Sequence, residues 1–184
     1  MTAVPVHAYG LLTAVRRRML RAWLRPWFAS IGAGVSFDPL SSTFAGYEHI
    51  HLGAGVFIGP HAHLTADGVD ILIGPDTVIG PGFYAIAGDH RFDQPGVGFR
   101  DGGRGLNEPI RIGCNVWIGA RVTVLKGVTI GDGAVIGAGS VVTRDIESCA
   151  VAVGAPAQRV RWRFEGEDRA VHDRFLERLR AGRG

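Results

Sequence analysis

Lysine is almost missing from this chain: of 20 basic residues, 19 are arginine and Lys126 is the single lysine. A bias so complete reads first as genomic base composition. Cysteine is scarce as well, and Cys114 and Cys149 alone cannot build a disulfide framework, so a reducing, cytoplasmic setting is expected. No uninterrupted apolar run reaches the ~18 residues of a membrane-spanning helix. Acid is absent from residues 1–30, which hold five arginines. Residues 31–158 carry seven basic and twelve acidic groups, and residues 159–184 carry eight and five. The net charge of +3 therefore sits at the two ends, around a mildly acidic middle. No helix-turn-helix, zinc-finger or RNA-recognition signature accompanies it, so nucleic acid is not an expected partner.

Glycine is what the chain has in excess, 28 of 184 residues, about twice average usage. With 46% hydrophobic and 20% charged residues, the composition excludes a disordered or collagen-like chain and leaves room for a packed core. The glycines are ordered. From Ile112, aliphatic residues recur at Ile118, Val124, Ile130, Ile136 and Val142, with glycine following at Gly113, Gly119, Gly131 and Gly137. Four residues after each aliphatic stands a smaller one: Val116, Val122, Val128, Ala134, Ser140, then Ile146. The register appears earlier at Leu52, Ile58 and Leu64, and again at Ile73, Ile79 and Ala85. It slips by three residues between Leu64 and Ile73, and again across residues 89–109.

A period of six fits neither a helix nor a lone amphipathic strand. It fits an all-β solenoid whose flat faces are short strands and whose corners are turns, three hexads to a coil. Glycine after each aliphatic is expected to supply positive φ at the corner. Small residues at the fifth position let the interior close.

Two appendages flank the solenoid, which is expected over residues 31–160. In residues 1–30, Leu12, Val15, Met19, Trp23 and Trp27 are spaced three or four apart, with Arg17, Arg18, Arg21 and Arg25 on the other side. This reads as a basic amphipathic helix over residues 8–29, ended or kinked by Pro26, and not as a signal peptide. It is expected to pack on the solenoid or a neighbouring subunit, with a weak membrane-surface contact as the alternative. Residues 161–184 read as a charged C-terminal helix with Phe175 and Leu179 on one side, placed as a cap on the open end or a subunit contact.

His90 stands at the second break in phase, in the run Gly88-Asp89-His90-Arg91-Phe92-Asp93, and opens a loop over about 89–109 that does not fit the repeat. A loop of that length in a compact repeat protein is usually functional or disordered. A histidine at its root is placed to act as a general base, since its ordinary pKa near ~6.5 leaves much of it neutral. The alternative is a loop histidine satisfied by solvent.

From about residue 50 to 163 the chain resembles the hexapeptide-repeat acyltransferases, among them the galactoside, maltose and xenobiotic acetyltransferases and the O-acetyltransferases of polysaccharide biosynthesis. The resemblance rests on His90-Arg91-Phe92-Asp93 before the loop, and on Pro109-Ile110-Arg111-Ile112-Gly113-Cys114-Asn115-Val116-Trp117-Ile118-Gly119 after it. The tail Gly154-Ala155-Pro156-Ala157-Gln158-Arg159-Val160 agrees too. Two departures are Gln158 and Arg144, where the family usually or often has lysine.

The resemblance implies a left-handed parallel β-helix, a homotrimer with active sites between subunits, and acetyl-CoA as cosubstrate. It implies His90 as the catalytic base, with Asp89, Asp93 or Glu108 orienting its ring. A backbone N–H at Gly119 or Ala120 would meet the oxyanion. Trp117 would wall the acceptor or pantetheine arm, or else be a subunit contact. Ala120, Ala138, Thr143 and Arg144 would line the CoA groove, and Arg159 and Arg161 would meet its phosphates, since guanidinium pairs bidentately with phosphate. The implied reaction is acetyl transfer to a sugar hydroxyl on a polysaccharide or glycolipid precursor, which a lipid-linked acceptor and the basic helix would suit. A sugar amine or an antibiotic hydroxyl is the rival within the same chemistry.

The gamma-class carbonic anhydrases resemble this fold and hold zinc with histidines. His49 and His51 stand two apart, as do His61 and His63, and residues two apart on one strand share a face. The insertion after His90 and the Val-Trp-Ile-Gly run belong to the acyltransferases, however. No metal is expected, and these four read as surface or acceptor-pocket histidines. A non-catalytic scaffold on the same solenoid is the remaining alternative.

Overall fold

A computed structural model describes the backbone of residues 6–182 and the side chains of 13–182. Leu12, counted above on the apolar stripe, lies outside the described side chains. Strands of two or three residues turn a corner every six or so, and all but the last pair are parallel. They form three sheets. The first face stacks Ser30–Ile31, Ile50–Leu52, Ile71–Ile73, Ile110–Ile112 and Thr129–Ile130. The second stacks Ser36–Phe37, Phe57–Ile58, Val78–Ile79, Trp117–Ile118, Val135–Ile136 and Ala150–Gly154, closed by the antiparallel return Ala157–Trp162. The third stacks Thr43–Ala45, His63–Thr65, Tyr84–Ile86, Thr123–Leu125 and Val141–Val142. The return strand runs two residues past the expected end of the solenoid at 160.

The interior is the repeat. Leu52, Ile58, Leu64, Ile73, Ile79, Ala85, Ile112, Ile118, Val124, Ile130, Ile136 and Val142 are all buried, and so are the fifth-position residues from Val116 to Ser140. Burying each such aliphatic stabilises the stack by about 1.5–3 kcal/mol. A first coil that the repeat did not reveal precedes them. Its interior is aromatic: Phe28, Phe37, Phe44 and Tyr47 meet at ring distances of 4.9–5.8 Å, mostly edge-on.

The glycines act differently from expectation. Those following the aliphatics, such as Gly53 and Gly119, do not have positive φ. They are required by close approach: a Cβ on Gly53 would lie 2.5 Å from the nitrogen of Pro75, and one on Gly119 2.5 Å from that of Ala138. The left-handed corner comes two residues later, at Gly55, His61, Asp76, Gly82, Asn115, Arg121, Gly127, Gly133, Gly139 and Cys149. Asparagine and aspartate tolerate that region, which accounts for Asp76 and Asn115; His61, Arg121 and Cys149 adopt it without that advantage.

The N-terminal helix, α1 (Val6–Leu24), ends in a 3₁₀ turn, Arg25–Trp27, that contains Pro26. Three of its arginines bond the solenoid. Arg17 pairs with Asp38 at 3.1 Å, Arg21 donates to Ser36 Oγ at 2.7 Å and to the Phe37 carbonyl, and Arg25 donates to the carbonyls of Ile31 and Gly32. Three of these acceptors are main-chain oxygens of the first coil, which has no coil beneath it to donate to them. Guanidinium donors cap that open edge. The C-terminal helix, α2 (Gly166–Gly182), does not lie over an open end. It packs on the flank, where Leu176 and Leu179 are buried with Cys114 and Cys149, while Phe175 stays part-exposed. Arg180 pairs there with Asp132 at 2.9 Å. Burial, then the nearby Asp132 carboxylate, pushes the Cys114 thiol up to about 11.

Candidate active site

The phase break at residue 89 falls at the corner between the third face and the first. The loop leaves after Tyr84–Ile86 and returns into Ile110–Ile112. Its root is zipped rather than open. His90 and Arg104 face each other in an antiparallel bridge, with the Arg91 N–H donating to Gly103 and the Gly105 N–H to Asp89. The coils on either side hold this ribbon. From the coil below, Asp67 pairs with Arg104, and its carbonyl accepts from Asn107 Nδ2 at 2.7 Å. From the coil above, Lys126 Nζ reaches Asp89 at 2.7 Å and the Leu106 carbonyl at 2.6 Å, one contact on each strand of the root.

The ribbon encloses a cavity of about 440 Å³ lined by His90, Arg91, Phe92, Asp93, Arg104 and Lys126, among others. His90 is exposed at its wall. None of the three acids considered as its orienter bonds to its ring among the described residues. Asp93 pairs with Arg91 at 3.1 Å, Asp89 pairs with Lys126, and Glu108 lies at the loop exit, where its own N–H donates to Ala87. Among the described residues the imidazole of His90 has no carboxylate partner.

Trp117 lies elsewhere. It points outward from the second face in an apolar row with Phe57, Val78, Val135 and Val151, each paired with the next. Its indole walls a second cavity of about 580 Å³ with Asp76, Asn115, Arg161 and Arg163. Of the backbone donors considered for the oxyanion, the Gly119 N–H is committed to the Ile136 carbonyl at 2.8 Å. The Ala120 N–H has no acceptor among the described residues. Ala138, Thr143 and Arg144 are exposed at corners of the last coils. Arg159 is engaged already, 2.9 Å from Glu147 and 4.2 Å above the Trp162 ring, whereas Arg161 opens onto the Trp117 cavity.

The remaining histidines split into two separate pairs. His49 and His51 both approach Asp70, at 3.3 and 3.7 Å. His61 occupies a left-handed corner (φ 61°), outside the strand that begins at His63, so the two do not share one straight strand as considered above. Among the described residues no three metal-ligating side chains gather.

The geometry thus presents two separate cavities: one beside His90 at one corner, and an aromatic groove edged by arginine on another face. The repeat that builds both matches the bacterial transferase hexapeptide family (six repeats) over residues 109–144. Nodulation protein L of Rhizobium meliloti (strain 1021) is 40% identical over 141 residues, 74% of this chain and 72% of that protein. The chain belongs to the hexapeptide-repeat acetyltransferases. A galactoside O-acetyltransferase of Lactococcus lactis subsp. lactis (strain IL1403) is 33% identical over 150 residues, 82% of this chain and 70% of that protein. A hexapeptide-repeat acetyltransferase from Vibrio cholerae O1 biovar eltor, solved with acetyl coenzyme A, superposes with a TM-score of 0.72 at 26% identity, covering 90% of this chain and 93% of that one. These likenesses and the three parallel sheets fit a left-handed β-helix.

Sequence reasoning passed over Lys126, Asp67, Arg104 and Asn107, which brace the loop, and Asp76, Asn115 and Arg163, which line the Trp117 groove. Asp76 and Asn115 had a signal. They are turn-forming residues at the same place in hexads of successive coils, next to Trp117. Lys126 had one as well, as the one lysine among arginines.

Proposed function

We propose that this acetyltransferase moves an acetyl group from acetyl-CoA to a sugar hydroxyl, with His90 as general base, in a homotrimer whose active sites lie between subunits. One observation carries the reading: the base and the aromatic groove open from different faces of one subunit, in separate cavities. Neither half is a complete site, and a neighbour related by the three-fold would bring the His90 corner of one copy onto the Trp117 face of the next.

In this arrangement the Trp117 groove takes the pantetheine arm, and CoA continues over Ala120 and Ala138 at the next corner toward Thr143 past the third face. Arg161 and Arg144 meet the phosphates, and Arg159 joins them on release from Glu147. Neutral His90 takes the proton of the acceptor hydroxyl as its oxygen attacks the thioester carbonyl carbon. The Ala120 N–H faces the developing oxyanion. Collapse expels the CoA thiolate, which takes the proton back from the imidazolium. A positioned base of this kind contributes ~10²–10⁴-fold. The open cavity mixes charged side chains with Phe92, a combination suited to sugar hydroxyls and a sugar ring face. That supports a polysaccharide or glycolipid precursor as acceptor.

Calorimetric titration with acetyl-CoA, followed by turnover of His90→Ala on a panel of sugar acceptors, tests the reading. Binding near one site per subunit is expected, with turnover of the variant down at least ~100-fold and binding kept. Turnover near wild type in His90→Ala refutes the mechanism.

A further inference from the structure

Helix α1 carries apolar side chains on both sides. Its arginines Arg17, Arg21 and Arg25 bond the solenoid edge and Leu24 packs against the core, while a second apolar stripe points away from the protein. Val15, Met19 and Trp23 recur every four residues and are 49%, 68% and 65% exposed. Trp27 continues the stripe at 60%, its ring centroid 6.3 Å from that of Trp23. Ala22 and Pro26 fill the same side and are exposed. At 3.6 residues per turn, Arg16 lies about 60° to one side of Met19 and Arg18 about 100° to the other. Both are exposed. The outward surface is therefore an apolar ridge with two tryptophans, edged by cations on both flanks, in a segment with no acid from residue 1 to residue 30.

We propose that this face of α1 lies in the interface of an anionic phospholipid bilayer and holds the enzyme at the membrane surface. Two features favour lipid over protein as the occupant. Tryptophan settles at the headgroup level, and arginines flanking an apolar stripe can extend to phosphate while their stems lie along hydrocarbon. The charge is of one sign throughout, complementary to anionic headgroups and repulsive to the same helix in a second copy. The docked arginines contribute indirectly: by capping the first coil they fix the helix lengthwise against the protein, so the ridge is presented already folded.

The probe is cosedimentation of the full-length protein with vesicles of phosphatidylcholine alone and of phosphatidylcholine with 30 mol% phosphatidylglycerol. Variants are Met19→Ser/Trp23→Ser and Arg16→Gln/Arg18→Gln. These side chains touch neither half-site, so acetyl-CoA binding and turnover on a water-soluble acceptor stay at wild-type level in both. Binding is expected on the anionic vesicles, weaker on the zwitterionic ones and in higher salt. The serine pair should lower it at least tenfold, and the glutamine pair about tenfold at low salt. No binding to anionic vesicles overturns the proposal, as does binding that the serine pair leaves unchanged. Loss of the native oligomer in the serine pair also overturns it, because the ridge is then covered by a second copy. Failure here leaves the acetyl-CoA titration untouched, so this proposal and the enzymatic reading fall separately.

Discussion

Replacing Lys126 with methionine keeps the length of the side chain and removes the one group that ties both strands of the loop root to the coil above. The ammonium makes a 2.6 Å hydrogen bond to the Leu106 carbonyl and a 2.7 Å ion pair with Asp89. Hydrogen bonds to charged groups contribute about 1.5–3 kcal/mol when shielded, and exposed ion pairs about 0.2–1 kcal/mol. Here the lysine is 24% and the aspartate 38% exposed, so a combined loss of about 1–2 kcal/mol is reasonable, a factor of about 5–30 in the balance between the zipped and the opened root. His90 sits on that root, whereas the proposed CoA groove lies on another face. Lys126 is thus a positioning residue, and its loss should lower kcat by up to about 5–30-fold with KM for acetyl-CoA within about twofold. Lys126→Arg keeps the charge and should recover most of the turnover. Hydrogen exchange at the Arg91 and Gly105 amides, which pair across the root, should quicken in the methionine variant alone. Wild-type turnover in Lys126→Met, or an arginine variant as slow as the methionine one, would refute the reasoning. A raised KM for acetyl-CoA at unchanged kcat would place Lys126 at the cosubstrate instead.

The two kinds of glycine should answer differently to substitution. A Cβ on Gly53 meets Pro75 backbone at 2.5 Å, while Gly139 has φ +72° and open space around it. Gly139→Ala should cost about 1 kcal/mol from backbone conformation alone, and Gly139→Asn should recover most of it, whereas Gly53→Ala should cost about 3 kcal/mol because whole coils must part. Melting temperatures at one protein concentration, at about 2–4 °C per kcal/mol for a chain of this size, decide it; Gly53→Ala melting at or above Gly139→Ala is the contrary result. His172 provides a pH test. Burial, then the Arg163 guanidinium 3.5 Å from its Nε2, holds its pKa below the usual histidine value. The unfolded chain therefore binds the proton first, and this contribution to stability is present above pH ~6.5 and is lost as pH falls below it. The melting temperature should drop between pH 7.5 and 5.5, and drop less in His172→Phe; equal slopes in the two proteins would remove the assignment.

The hexad period by itself determined the architecture, because in a stacked coil the inward direction recurs at a fixed spacing and aliphatics fill most of it. The same arithmetic located the extruded loop, and so His90, as the place where the period fails. It was blind to the first coil, where Phe37 and Phe44 replace the aliphatics. It also misjudged the glycines, since a neighbour 2.5 Å away belongs to the next coil and leaves no mark on local spacing. Only the tertiary structure decided which corner the loop shares with Asp67 and Lys126, which lie 40 positions before Asn107 and 20 after Leu106. It also separated His90 from Trp117, which the family motif runs together along the chain. The orientation of α1 was decided there too. Sequence periodicity gives a helix two faces, but which face docks depends on what it meets. Here it meets a strand edge of open carbonyls, which Arg21 and Arg25 match, beside an apolar end of the core that takes Leu24.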